Sequence, residues 1–394
     1  MSLVFGPLAF LFALVAGTLG TAHAQTPAGG VKPVITIGAE FSLSGPYAQF
    51  GQAGLAGVEL AVDELNRQGG IKVGTATYTV DIAKEDTRSQ ASDTVTAAER
   101  LVRDRKVPII FGPIVGVLAM PAQEVTQPAK VIHVSPAVQW RALVGQPAKK
   151  WLINSQVDDQ FRYGYFVPVL VREMKIKTVA LLGVNDATAR GILPRVGELM
   201  AKEGVKVVAT EYFERGTTDF SPFLTRIRGA KPDMLFFGYG DAHAVSILRQ
   251  GVELNVAPHY GTFAGTSLLV PLQTALGKPV DSFIGVAATE NLSHPIHDNV
   301  RAWIQAYKAK YGKDVTGQTE WALSMYDYVL MWAKAVELAG TYTDNDKVID
   351  RLHGMTHRGV MTVRIDERGQ AIHDFDIGII RDGKIQWQHA SIVK

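Results

Sequence analysis

The chain has 394 residues, of which 47% are hydrophobic and 20% are charged, and its formal net charge is +2. A chain of this length exceeds the size at which a single hydrophobic core usually divides, so two domains are expected. The near balance of charge and the lack of a Lys/Arg run argue against a nucleic-acid partner. The sequence contains no cysteine, which excludes disulfides, thiol nucleophiles, a lipid-modified cysteine and cysteine-ligated metals.

The first residues have the features of an export signal. Residues 1–24 carry no charged side chain, are apolar as far as Leu19 and end in Ala22-His23-Ala24, the small-x-small pattern that signal peptidase cleaves. The apolar run is interrupted by glycine and proline and is short for a membrane span. We therefore predict a signal peptide cleaved before Gln25. An uncleaved anchor is the alternative, because the segment lacks Lys and Arg.

Strands and helices alternate after a short Pro/Gly linker. Apolar residues recur at helical spacing from Gly51 to Leu65, and Gly69-Gly70 ends this helix. Other helices are predicted over residues 91–103 and from about 117, and strands over residues 34–37, 78–83, 107–111, 131–134 and 151–154. This repeated strand-helix-strand order predicts a parallel sheet with helices on both faces.

A second series of the same kind follows. Its helices are predicted over residues 161–174, 191–202, 220–228 and 242–251, and its strands over residues 178–182, 206–212 and 234–237. The sequence therefore predicts an α/β protein with two doubly wound, parallel-sheet lobes.

The last section departs from this alternation. A strand at 283–287 precedes three helices at 299–311, 320–338 and 346–353, and strands follow near 360–365 and 375–380. Three consecutive helices need a sheet face to cover, so we expect this section to complete the first lobe and the last strand to return to the second. The predicted first lobe is residues 31–156 plus 283–372, and the second is residues 157–282 plus 373–394. The chain would then cross between the lobes three times.

Small, hydroxyl-bearing or aromatic residues follow the strands of both lobes. These turns lie at residues 42–45, 112–116 and 135–137 in the first lobe and at 185–188, 238–241 and 261–264 in the second. Ligands of doubly wound sheets bind at the carboxyl ends of the strands. The helix after Gly116 would present backbone N–H groups and a partial positive charge to a carboxylate. Two such edges facing each other would form a cleft for a small molecule.

Several segments together carry a family resemblance. They are SLSGPYAQFGQAGLAGVELAVDELNRQGGI, KEDT at residues 84–87, VPIIFGPIVG, VIHVSPA and the closing GVMTVRIDERGQAIHDFDIGIIRDGKIQ. From about residue 34 to residue 388, the chain resembles the type I periplasmic binding proteins of the leucine/isoleucine/valine-binding family. The resemblance implies capture of a small carboxylate in a hinge-closing cleft and delivery to an inner-membrane ABC permease. It also implies a monomeric periplasmic protein with no catalytic activity and no cofactor.

The resemblance further implies ligand contacts for nine residues. In the first lobe, the aromatic residue that covers the ligand falls on Phe50. The turn that holds the carboxylate falls on Gly116 and Val117. The companion turn after Ser-Pro falls on Ala137, Val138 and Gln139. In the second lobe, the family's two tyrosines and the acidic residue that pairs with an ammonium group fall on Thr188, Gly240 and Phe263.

Phe263 stands where the family has an acidic residue, and this difference affects which ligand is expected. A buried ammonium group needs a counter-charge, which phenylalanine cannot supply. Asp241, Glu290 and Asp186 are the alternative partners. Phe50 and Phe263 facing each other would enclose an apolar or aromatic body. The favoured ligand is therefore an aromatic or arylketo acid without an amine, and the alternative is a branched-chain or other apolar amino acid.

Other site patterns are weaker. Gly51-Gln-Ala-Gly54-Leu-Ala-Gly57 has the wrong spacing for a dinucleotide fingerprint, so these glycines are expected to permit close helix packing. The histidine pairs 294/297 and 353/357 have no third ligand at an obvious spacing, so no metal is predicted. The serines at the strand ends have no adjacent base in the sequence. An exported α/β hydrolase is the alternative from a different functional class.

Overall fold

The computed structural model describes residues 32–137, 140, 142–156, 159–238, 241–262, 283–286, 292, 295–315, 319–381 and 384–393. From Pro33 to Lys394 the chain forms one compact unit. Several predicted features lie outside the described residues, namely the signal peptide at 1–24, Val138, Gln139, Gly240, Phe263 and Glu290.

The first sheet contains six strands. They are β1 (Val34–Phe41), β2 (Ile71–Val73), β3 (Ala76–Asp86), β4 (Ile109–Phe111), β5 (Ile132–Ser135) and β6 (Leu152–Asn154). Their order across the sheet is β2-β3-β1-β4-β5-β6, and all neighbours are parallel except the hairpin pair β2 and β3. Parallel neighbours need crossover connections. The helices α1 (Ala48–Arg67), α2 (Ala91–Glu99) and α3 (Gly116–Thr126) lie in the connections of this lobe.

The second sheet contains seven strands. They are β7 (Thr178–Val184), β8 (Lys206–Phe213), β9 (Met234–Gly238), β10 (His259–Thr262), β11 (Phe283–Val286), β15 (Phe375–Arg381) and β16 (Lys384–Ala390), in the order β16-β15-β11-β10-β9-β7-β8. The first five are parallel, and β15 and β16 are antiparallel to their neighbours. The associated helices are α4 (Asp159–Met174), α5 (Ala187–Lys202), α6 (Ser221–Gly229) and α7 (Asp241–Glu253).

Both faces of the second sheet are buried. Val179 and Leu181 of β7 pack into one hydrophobic cluster, whereas Ala180 and Leu182 pack into another on the opposite face. Successive side chains of a strand point to opposite faces, so a strand that is apolar at every position indicates a sheet covered on both sides. This explains why central strands such as β7 and β9 are nearly continuous apolar runs.

Three helices of the last section cover the first sheet. They are α8 (Asp298–Tyr311), α9 (Glu320–Ala339) and α10 (Asn345–Leu352). Trp303, Trp332 and Ile349 belong to the same buried cluster as Ile37 of β1, so the two tryptophans are core residues. A small antiparallel sheet of β12 (Thr356–Arg358), β13 (Thr362–Ile365) and β14 (Ala371–His373) follows. Within the described ranges, no helix is both long and apolar enough to cross a membrane.

The glycines of α1 permit close packing, as predicted. A Cβ atom added at Gly57 would lie 1.9 Å from the carbonyl oxygen of Ala322 in α9. One added at Gly51 would lie 2.1 Å from the carbonyl oxygen of Ser42. Helix backbones approach this closely only where a side chain is absent. These glycines therefore bring α1 against both α9 and the loop after β1.

Several strands differ from the sequence-based expectation. The strand near 283 was assigned to the first lobe, whereas β11 pairs with β10 and β15 of the second sheet. The strands β2, β12, β14 and β16 were not predicted. A short apolar strand carries no local signal for the sheet it joins, because its pairing partners are distant in sequence. The predicted two-lobe α/β architecture with three crossings is otherwise the one observed.

Candidate functional site

The carboxyl edge of the first sheet brings the predicted turns together. Because β1 and β4 are parallel neighbours, the turns that follow them lie at the same edge of the sheet. A Cβ atom added at Gly54 of α1 would lie 2.9 Å from Cδ1 of Ile114, which belongs to the turn after β4. The first turns of α1 therefore lie against the segment that leads to Gly116.

The hydroxyl groups of the loop after β1 are engaged within the protein. Asp86 accepts hydrogen bonds from the backbone N–H of Leu43 at 2.8 Å and from the Ser44 hydroxyl at 2.7 Å. The Ser42 hydroxyl bonds to that of Thr87 at 2.8 Å. Burial alone would raise the pKa of Asp86, but its hydrogen bonds outweigh that effect and lower it. The loop is thus held by an ionised carboxylate.

The turn after β4 is held in a similar way. His133 of β5 bonds through Nε2 to the carbonyl oxygen of Gly112 at 2.7 Å, and the Ser135 hydroxyl donates to the carbonyl oxygen of Pro113 at 2.7 Å. Because a carbonyl oxygen only accepts, the neutral His133 carries its proton on Nε2. Its other ring nitrogen lies 3.2 Å from the Thr126 hydroxyl. Burial lowers the pKa of His133 to about 4, so the ring is neutral at physiological pH.

Helix α3 begins directly after this turn. Gly116 is its first residue, and no side chain within the described ranges caps its N-terminus. Val117 is 55% exposed. The first N–H groups of a helix have no partner within the helix, and the helix dipole makes this end partly positive. The N-terminus of α3 is therefore a place where an anion could bind.

The other described residues of the predicted first-lobe site differ in exposure. Phe50 is half-buried in the first turn of α1 and packs against the first-lobe core. Ala137 is fully buried in a small cluster with Ala119 and Trp140. A residue in that position can offer a ligand only its backbone, because its methyl group is already enclosed.

The carboxyl ends of β7, β9 and β10 lie at the same edge of the second sheet, because these strands are parallel neighbours. Asp186 caps α5, where it accepts the N–H of Ala189 at 2.9 Å, and it also pairs with Arg215 at 2.8 Å. The carboxylate of Asp186 is therefore already engaged in local contacts. Thr188 lies in the first turn of α5, and Asp241 is the first residue of α7.

The residues that hold these turns are not among the site residues predicted from the sequence. Asp86, His133 and Arg215 carry the turn contacts, yet none stands out in the sequence by motif or spacing. Asp86 could have been suspected, since it lies in the segment KEDT of residues 84–87, which forms part of the family resemblance. The contact of His133 with residues 112 and 126 depends on strand order, which the local sequence does not encode.

Two of the crossings between lobes run side by side. Asn154, the last residue of β6, donates its backbone N–H to the Gly369 carbonyl oxygen at 2.8 Å and its side-chain amide to Gln370 Oε1 at 2.9 Å. Gln370 in turn donates to the Gln156 carbonyl oxygen at 2.6 Å. The third crossing leads from β11 to α8. The first two crossings are therefore hydrogen-bonded to each other.

A surface hollow of about 370 Å³ lies elsewhere, between α1 and α8. It is lined by Glu59, Tyr307 and Tyr311 among others. None of the predicted ligand residues lines it, so it is separate from the edges described above.

Comparison with known proteins identifies the family. A profile described as periplasmic binding protein matches residues 34–384. The chain belongs to the periplasmic binding protein family. It is a substrate-binding protein of the ABC-transporter class and not an enzyme, and the family is periplasmic. The resemblance and the fold class predicted from the sequence are thereby confirmed.

Individual relatives are distant. A Leu/Ile/Val-binding protein of Rhizobium johnstonii is 28% identical over 204 residues, which is 52% of this chain and 54% of that protein. The chain thus spans about half the length of that relative. A leucine-, isoleucine-, valine-, threonine- and alanine-binding protein of Pseudomonas aeruginosa is 24% identical, over 86% of this chain and 87% of that one. A solute-binding protein of R. palustris, solved with 4-hydroxybenzoate, has a TM-score of 0.69 and 21% identity, covering 91% of this chain and 96% of the other.

Proposed function

We propose that this periplasmic binding protein captures a small carboxylate with an aromatic or otherwise apolar body and no amine, and delivers it to an inner-membrane ABC permease. The observation that supports a carboxylate group on the ligand is the N-terminus of α3. Its first N–H groups face no side-chain cap in the described part of the chain, and Val117 is exposed. A ligand carboxylate would accept hydrogen bonds there and would be stabilised by the helix dipole.

The lack of an amine on the ligand is inferred from the second lobe. Phe263 is apolar, and the carboxylate of Asp186 already caps α5 and pairs with Arg215. An ammonium group buried in the cleft would need a carboxylate that is not already engaged. Asp241 and Glu290 are the remaining candidates, so the alternative ligand is a branched-chain or other apolar amino acid.

The proposed contacts follow the resemblance. Phe50 and Phe263 would enclose the apolar body, and the other contacts would come from Gly116, Val117, Ala137, Val138, Gln139, Thr188 and Gly240. The half-buried position of Phe50 at the start of α1 is compatible with this role. Cleavage before Gln25 is also a proposal, since residues 1–31 lie outside the described ranges. A monomeric state is proposed from the family resemblance.

The named relatives support each ligand class in part. The Pseudomonas aeruginosa relative is named for five amino acids, and a chain of this fold was solved with 4-hydroxybenzoate. The latter likeness concerns the fold alone. The choice between the classes therefore depends on the second-lobe side chains and on a direct measurement.

A thermal-shift panel of aromatic acids, arylketo acids, aliphatic acids and amino acids tests the proposal. A ligand at 100 times its Kd adds about 2.7 kcal/mol to the free energy of unfolding, so a true ligand should stand out. We expect stabilisation by benzoate-like or arylketo acids. Stabilisation by leucine or valine, with none by aromatic acids, would refute the amine-free ligand. A panel that is flat for every acid would refute the carboxylate.

Variants distinguish a ligand contact at Phe50 and Phe263 from a general effect of lost core packing. Phe50→Ala should weaken binding of the aromatic acid by about tenfold or more, because a buried aromatic contact contributes at least about 1.5 kcal/mol. Phe223→Ala is the matched control, since this half-buried phenylalanine lies on α6 and packs against the second-lobe core. Phe263→Glu should weaken binding of the acid and increase binding of apolar amino acids. Equal affinities in Phe50→Ala and the control would exclude Phe50 from the site.

A further inference from the structure

Three side chains from separate parts of the chain converge beside the second sheet. They are His297, in the crossing that leads to α8, Asp376 on β15 and His389 on β16. One ligand atom from each lies within 4.8 Å of the other two. The rings of His297 and His389 are 4.5 Å apart, edge to face. We propose that these three residues bind a divalent transition-metal ion, with Zn²⁺ as the representative case.

The strand pair fixes two of the three ligands. Asp376 and His389 are directly opposite each other in the antiparallel pairing of β15 and β16, so their side chains share one face of the sheet. His389 Nδ1 lies 3.0 Å from Asp376 Oδ1. Ligand atoms of a tetrahedral zinc site are separated by about 3.3 Å, given metal–ligand bonds of about 2.0–2.2 Å. This contact is a hydrogen bond, which the ion would replace, and the three ligand atoms would draw together around the ion from separations of up to 4.8 Å.

A neighbouring carboxylate supports His389 from its other side. Asp374 lies two residues before Asp376 on the same face, and its Oδ2 is 3.6 Å from His389 Nε2. Asp374 is itself held by the backbone N–H groups of Ile392 and Val393 at 2.6 and 2.9 Å. A metal-bound histidine usually donates its other N–H to such a carboxylate, which orients the ring. With its proton on Nε2, His389 would direct the Nδ1 lone pair toward the metal.

The donor types select the class of ion. Two imidazoles and one carboxylate suit Zn²⁺ and similar transition ions, whereas Mg²⁺ and Ca²⁺ prefer oxygen ligands alone. Asp376 is fully buried, while His297 and His389 are partly exposed. The exposed side of the histidines gives an ion access from solvent and leaves room for a water molecule as a fourth ligand.

A metal ion bound at this position would link two parts of the fold. His297 belongs to a crossing segment between the lobes, whereas Asp376 and His389 belong to the second sheet. A bound ion would therefore fix the start of α8 to the β15–β16 pair. Zn²⁺ binding at these residues is independent of the identity of the organic ligand.

The test uses the chain purified from the periplasm without an affinity tag and treated with a chelator. Zn²⁺ binding is measured by calorimetry and Co²⁺ binding by visible absorption, in the wild type, His297→Gln, His389→Gln and the control His259→Gln, whose histidine lies outside the cluster on β10. We expect one Zn²⁺ per chain in the wild type and the control, and at least tenfold weaker binding in the two cluster variants.

Three outcomes would overturn the proposal. The first is the absence of Zn²⁺ binding to the wild type. The second is an equal affinity of the wild type and the two cluster variants for Zn²⁺. His297→Gln provides the decisive comparison if His389→Gln fails to fold, because His297 is partly exposed and lies outside the sheet. The third is an affinity for Mg²⁺, measured by the same calorimetry, equal to that for Zn²⁺, because Mg²⁺ prefers oxygen ligands to the nitrogen atoms of histidine.

Discussion

Glu40 lies in the middle of the first sheet, and its environment makes a sharp prediction about stability. Its side chain is fully buried in β1, and neither carboxyl oxygen has a hydrogen-bond partner in the described part of the chain. Burial raises the pKa of Glu40 well above its ordinary value of 4.5, and the negative charge of Glu85, its cross-strand neighbour, raises it further. Glu40 is therefore protonated in the folded protein over a range of pH in which it ionises in the unfolded chain.

The sign of the pH dependence follows from this difference. Above the unfolded pKa the folded state holds one more proton than the unfolded state at this position, so the free energy of unfolding falls as pH rises. The slope from this one group is about 1.4 kcal/mol per pH unit until the folded pKa is passed. Glu40→Gln removes the group, so the variant should gain stability relative to the wild type by that amount per pH unit and then level off.

The measurement is urea unfolding of both proteins from about pH 4 to about pH 8, followed by tryptophan fluorescence, with a check that the denaturant slope is unchanged. Trp303 and Trp332 report on the relevant region because they share a buried cluster with β1. Glu85→Gln is the control. It removes a half-buried carboxylate that pairs with Arg100 at 3.2 Å, and it should shift the bend of the curve to lower pH. Parallel stability curves for the wild type and Glu40→Gln would refute the argument.

Three further outcomes are expected. The ring of His133 should remain neutral down to about pH 4 in nitrogen NMR spectra. Because the same ring takes up a proton near pH 6.5 in the unfolded chain, the free energy of unfolding should fall by about 3 kcal/mol as pH falls from 6.5 to about 4. Titration of the folded ring near pH 6.5 would contradict its burial. Gly57→Ala should destabilise by about 1–3 kcal/mol, whereas Gly191→Ala, in open space on α5, should be neutral or stabilising in the same denaturation assay. Asp186→Ala should cost about 1 kcal/mol as a lost helix cap without changing ligand affinity, and a large loss of affinity would instead make Asp186 a ligand contact.

The sequence predicted those features that depend on local periodicity. Continuous apolar strands such as 178–182 predicted a sheet buried on both faces, and Val179 and Ala180 indeed pack on opposite sides. The glycines of α1 were correctly interpreted as packing residues, because their spacing fitted no dinucleotide motif. These inferences succeed because the period of side-chain direction is a property of the element itself.

The features that the sequence did not predict depend on contacts between distant residues. The pairing of β11 with β15 joins residues nearly a hundred positions apart, and no local pattern specifies it. The approach of His297 to His389 has the same origin, since histidine spacing along the chain gave no third ligand. The engagement of Asp186 by Arg215 likewise became visible only when β7 and β8 were paired.

The hydrogen bonds between Asn154 and Gln370 have a consequence for ligand affinity at a distance. Because the two crossings are hydrogen-bonded to each other, a closure of the cleft of the kind that the family resemblance implies would bend both crossings together, and open and closed forms would then differ in a single coordinate. The measured Kd equals the intrinsic Kd divided by the fraction of molecules in the binding-competent form. Substitutions such as Gln370→Ala that change this fraction will therefore change affinity for every ligand by the same factor, and will leave the ranking among ligands unaltered.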